Sequence, residues 1–180
     1  TVIWLAGRGP AEAAGAMLAA TMGAAAVEPI VTATQAPPWI GPLDVLVVAG
    51  DDPADPALVS SAATAVRRGA RVVVAAPCEG PLRDATAGRA AVLAPRLRVP
   101  DEFGLCRYLA AGLAVLGVVD RGLATDLGVL ADELDAEARR NIVSRDTATT
   151  AVYAYPDPLS LRDALPIDRH LAGRSLARHG

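Results

Sequence analysis

Lysine is absent from this 180-residue chain, whose 17 basic residues are all arginine. Together with a high alanine content, this reads as the coding bias of a GC-rich genome, without functional meaning. The arginines are interspersed with 20 acidic residues for a net charge of −3, so no basic face for nucleic acid or a membrane stands out. Aromatics supply only 3% of a chain that is 52% hydrophobic, so the core must be built from Ala, Val and Leu and pack close. The two cysteines, Cys78 and Cys106, have neither CxxC spacing nor a nearby histidine. That excludes a disulfide framework or a zinc site of familiar spacing, and buried free thiols are expected. The longest apolar run, LAAGLAVLGVV from Leu109, falls short of the roughly 20 residues that cross a bilayer. No signal-peptide pattern precedes the strand-like opening TVIWLA, so a cytoplasmic location is expected. Neither a cofactor nor a metal is expected.

The size, 18.4 kDa, suits one α/β domain. Short, nearly all-apolar runs rich in β-branched residues lie at Val2–Ala6, Val27–Thr32, Leu43–Val48, Arg71–Ala76 and, weakly, Ala91–Leu93. Such runs fit strands covered on both faces, as in a parallel sheet. Helical spacing separates them. Leu58, Ala62 and Val66 share one face; Leu105, Leu109, Leu113 and Leu116 form a second stripe; Leu127, Leu130 and Leu134 form a third among solvated charges. The alternation predicts a doubly wound five-stranded parallel sheet, an α/β fold of flavodoxin-like type. One link departs from it: TQAPPWIGP, from Thr34 to Pro42, stands where a crossover helix is expected, and its prolines oppose one.

From Asp146 the periodicity ends. The blocks DTATT and LSLRDALPI resemble the conceptual translation of a sequencing-library adapter with a few substitutions. Residues 146–180 are therefore read as an artefactual or disordered tail, beside the alternative of a real but irregular extension. Both histidines, His170 and His179, fall in it. General acid–base chemistry in the body would then rest on carboxylates, two thiols and Tyr108.

Two loops could carry an anion. After the first strand, Gly7 and Gly9 permit a sharp turn, Pro10 suits a first helical position, and Arg8 stands beside the freed N–H groups. The pattern matches a dinucleotide fingerprint only loosely, because the third glycine is displaced and no acid closes the second strand. Arg8 also reads as an ordinary surface ion-pair residue. After the third strand, Asp51, Asp52 and Asp55 crowd the start of the next helix. Asp55 before Pro56 fits an N-cap followed by N1. The DDxxD spelling evokes a magnesium motif, but Pro53 and Pro56 prevent the single helical face it needs. Carboxylates this close should repel an incoming phosphate.

The ordered segments PPWIGPLDVLVVAG, RRGARVVVAAPCEGPLRDATAGRAAVLAPRLRVPDEFGLCRYLAAGLAVLG and LDAEARRN resemble a sugar isomerase (SIS) domain. The similarity is to the bifunctional phosphoglucose/phosphomannose isomerase branch and its actinobacterial TobH-type relatives, over residues 1–145. The resemblance implies a sugar-phosphate site, with Gly7, Arg8, Gly9, Asp51, Asp52 and Arg107 as candidate binding residues. It also shows departures. Cys106 stands where the family has a proline before the retained Arg107. The family's phosphate-binding hydroxyls fall at Ala11, Ala49, Asp51 and Ala54, and its catalytic Glu and His belong to a second SIS half. The resemblance therefore implies the first half of a double-SIS protein, with degenerate phosphate loops and no activity alone. The alternatives are the first half of an active aldose–ketose phosphate isomerase, or a scaffold or sensor subunit. In that last case the apolar helix from Leu105 to Val119 would pack in a homodimer or against a second SIS half.

Overall fold

The computed structural model describes residues 1–94, 100 and 103–153, of which 142–153 as backbone only. Within Thr1–Leu130, one compact unit, strands β1 (Val2–Ala6), β2 (Ile30–Ala33), β3 (Val45–Ala49), β4 (Arg71–Ala75) and β5 (Ala91–Val92) form a sheet in the order β2-β1-β3-β4-β5. All four pairings are parallel. The helices α1 (Pro10–Met22), α2 (Pro56–Arg67), α3 (Gly80–Thr86) and α4 (Leu105–Val119) cover both faces. This is the doubly wound arrangement that the strand-like runs predict, in the flavodoxin-like order.

Alternation along the strands divides the core. Val2, Trp4 and Ala6 of β1 meet Val45, Val47 and Ala49 of β3 under α1 and α4. Ile3 and Leu5 meet Leu46, Val48, Val72 and Val74 under α2 and α3. Each fully buried Leu or Ile contributes about 1.5–3 kcal/mol relative to exposure. Trp4 is the largest side chain in an otherwise small-residue layer, and two glycines make room for it. A Cβ at Gly15 of α1 would overlap the indole, and one at Gly112 of α4 would overlap Leu18 and crowd Trp4. The buried indole N–H donates to the Ala11 carbonyl at 2.8 Å.

The segment between β2 and β3 contains no helix among its described residues. Ile40, 2% exposed, takes the place of a helix by plugging the core beneath it. Side chains of α2 and its C-cap hold the segment: the Ser61 hydroxyl accepts from Ala36 N–H at 2.9 Å, and Arg68, just past the helix, donates to the Pro38 carbonyl.

Several expectations shift. The second strand starts at Ile30 rather than Val27, because Pro29 has no ladder N–H and Val27 is 83% exposed. Leu43 lies outside β3, in a turn where Gly41 N–H donates to Asp44. Helix α3 falls in a stretch where no helical stripe is expected; Pro81 in its first turn and Gly88 just beyond its end mark it in the sequence. On α4 the buried face is Tyr108, Ala111, Gly112, Val115 and Leu116. Leu116 of the expected stripe is therefore on the core face, while Leu105, Leu109 and Leu113 are only partly buried beside it, and Gly112 is small where α4 passes closest to Leu18 of α1. Neither thiol is buried: Cys78 is intermediate and Cys106 exposed, since Cys106 lies on the outer side of the first turn of α4.

A short 3₁₀ turn, Arg121–Leu123, precedes α5 (Leu127–Tyr153). A second unit begins at Ala131. In it, residues 131–141 are all exposed, including Leu134, whereas Leu127 and Leu130 of the same stripe, in the first unit, are half-buried. The backbone is helical through Tyr153, past Asp146. Residues 154–180, with both histidines and the second adapter-like block, lie outside the described residues, as does Val99.

Candidate functional site

In a sheet of this order the sense in which strands are added reverses between β1 and β3, so the connections from their C-terminal ends leave to opposite faces and open a crevice. The turn Gly7–Gly9 and the turn Gly50–Asp55 meet there: a Cβ placed on Gly7 would lie 3.6 Å from Asp55 Oδ2. Gly9 supports the first turn directly, with φ 91° immediately before α1, in a region that disfavours side chains. Gly7 has no such requirement, so of the two glycines only Gly9 needs its freedom.

The two helix starts differ. Helix α1 opens with Pro10 and has no side-chain cap, and Arg8 beside it is exposed with no ion pair among the described residues. Helix α2 opens with Pro56 at N1, and Asp55 Oδ1 accepts from Ala57 N–H at 2.7 Å and Leu58 N–H at 3.4 Å. The N-cap reading of Asp55 therefore holds. Asp52 accepts from Ala54 N–H at 2.8 Å, within its own turn.

Asp51 reaches across the crevice. Its Oδ1 accepts from Arg107 Nη2 at 2.6 Å and from the Tyr108 hydroxyl at 2.7 Å, while Arg107 Nη2 also lies 2.6 Å from that hydroxyl. The Arg107 guanidinium sits 4.4 Å from the centroid of the Tyr108 ring. Tyr108 is fully buried, whereas the Arg107 and Asp51 side chains are 23% and 35% exposed. The pair thus lies between a surface bridge, worth little, and a buried one, whose breakage is costly. Arg107 Nε is buried with no partner among the described residues. These contacts tie the β3 turn to the start of α4, across 56 residues of sequence.

The crevice is therefore negative where a phosphate would need donors. A unit anion about 4 Å from the Asp55 carboxylate would be repelled by roughly 4 kcal/mol at the effective dielectric of a protein surface. The strongest cation nearby, Arg107, already has a carboxylate. Of the positions where the resemblance places lost hydroxyls, Ala11 and Ala49 are buried in the core. Among the described residues no group of three His, Cys, Asp or Glu converges as a metal site, and no helix is long and apolar enough to cross a membrane.

One lining escapes the sequence reading. Beside the end of β1, a cavity of about 500 Å³ is bounded by Trp4, Glu12, Thr32, Thr34 and Gln35. The signal for it was position: Thr34 and Gln35 directly follow β2 on the same edge of the sheet. The first turn of α1 adds Glu12. This set can hydrogen-bond hydroxyl groups but carries no cation.

No family model matches the chain, and no curated protein does. Among solved structures, a protein of Salmonella typhimurium LT2, provisionally described as a phosphosugar isomerase, is similar at 18% identity with a TM-score of 0.46. The similarity covers 66% of this chain, which spans 39% of the length of that protein.

Proposed function

We propose that residues 1–145 are a SIS-type domain of a sugar-phosphate isomerase-like protein, of the phosphoglucose/phosphomannose isomerase branch. In this reading the phosphate position after β3 has been taken over by the protein's own carboxylates. Such a domain handles carbohydrate derivatives by descent and is inactive alone. The observation that carries the reading is the Asp51–Arg107–Tyr108 cluster beside the Asp55 cap. Titration calorimetry with fructose 6-phosphate tests it: no saturable heat at micromolar ligand is expected, and micromolar binding would overturn it.

A second reading rests on Arg8, exposed beside the crevice with no ion pair among the described residues, and on the Nε of Arg107, which has no partner among them either. Here the domain is the first half of an active isomerase. Arg8 or Arg107 would hold the phosphate while groups from another SIS half move a proton through an enediol. Coupled assays with glucose 6-phosphate and mannose 6-phosphate on the full-length gene product distinguish the two. Turnover that Arg107→Ala abolishes, with the variant still folded, would support the enzyme.

A further inference from the structure

At the opposite end of the sheet from the crevice lies a larger cavity of about 640 Å³, bounded by β4, β5 and the last turns of α4. Its walls are apolar, with Val73 and Leu93 from the sheet side and Val115 and Val118 from α4. Val118 is 84% exposed and Leu93 38%, so the apolar surface opens to solvent. Arg71 and Arg89 also line it. Arg71 opens β4 and Arg89 stands two residues before β5, the strand that pairs with β4. Both are exposed, neither forms an ion pair among the described residues, and no carboxylate is among the residues lining the cavity.

Two guanidiniums line this one apolar cavity with no carboxylate among the described residues that line it, so a bound anion would supply the charge that balances them. A carboxylate suits them best, because a planar guanidinium fork grips two oxygens at once. The volume falls in the range of small-molecule sites, and the valine and leucine walls offer nothing to hydroxyl groups. We infer that this cavity binds a free anionic amphiphile, with a carboxylate between Arg71 and Arg89 and a medium-length alkyl chain along Val73, Val115 and Val118. This site is separate from the sugar-phosphate crevice in position and chemistry, and stands whether or not that reading does.

Decanoate, titrated below its micellar concentration into the full chain and followed through methyl NMR signals of Val118 and Leu93, tests the inference. Saturable shifts are expected, with affinity rising roughly fourfold per added CH₂ from octanoate upward. The double variant Arg71→Gln, Arg89→Gln should bind at least about tenfold more weakly while keeping its circular dichroism, since both side chains are exposed. Decanol and decyltrimethylammonium should likewise bind at least about tenfold more weakly than decanoate. Absence of saturable shifts, equal binding of decanol, or full binding by the double variant would each overturn it. So would pelleting with phosphatidylserine vesicles without binding of free decanoate, which would assign the arginines to a membrane surface.

Discussion

The helices α1 and α2 begin side by side at the same edge of the sheet, each with proline in its first turn, yet one start is open and the other closed. At α1 the geometry is made by backbone: Gly9 turns the chain, nothing caps the helix, and Arg8 faces solvent. At α2 it is made by side chains: Asp55 satisfies the free N–H groups and Asp51 neutralises the nearest arginine. Both starts have the local form of an anion site. Occupation of the donors separates them, so a strand–turn–helix pattern alone does not establish a phosphate site.

The contrast can be broken most severely at Tyr108, whose ring and hydroxyl support the closed side. Tyr108→Ala should destabilise the fold by about 3–5 kcal/mol through cavity formation. Tyr108→Phe, which removes only the hydroxyl, should cost about 1–2 kcal/mol. Urea unfolding measures both, and equal costs would mean that the ring alone matters. Next in size is Gly9→Ala, which forces a side chain into a disfavoured backbone region at about 1–3 kcal/mol. The same unfolding series should place Asp55→Ala near 1 kcal/mol, with Asp55→Gly cheaper by most of that amount. A larger loss for Asp55→Ala than for Gly9→Ala would reverse the assignment of backbone and side-chain roles. Arg8→Ala should be the mildest, within about 0.5 kcal/mol in stability, because the side chain is exposed and unpaired. Under the closed-crevice reading it should also leave fructose 6-phosphate titrations as flat as before.

Much of the fold was legible because burial on both faces leaves a plain signature: the runs Val2–Ala6 and Leu43–Val48 read as strands covered on both faces, and the observed strands there, VIWLA and VLVVA, are buried throughout. The α2 cap was legible for a similarly local reason, since Asp followed by Pro specifies its own geometry. What failed depended on neighbours. The leucines of α4 suggest a core face, and Leu116 lies on it, but Leu105, Leu109 and Leu113 only flank it, and Gly112 marks the closest approach to α1. Asp51 and Arg107 were each picked out as phosphate partners, yet their pairing joins residues far apart in sequence, and a single sequence carries no signal of that contact. The family resemblance singled out both residues but did not tell a ligand's counter-ion from a neighbour's.

The slot that Gly15 and Gly112 leave around Trp4 gives the molecule an optical gauge. Its other tryptophan, Trp39, is 54% exposed, so a water-borne quencher should dim that indole and leave the blue-shifted emission of Trp4. Any loosening of α1 from α4 would then register as a red shift in the protected component, without a label and before the sheet itself comes apart.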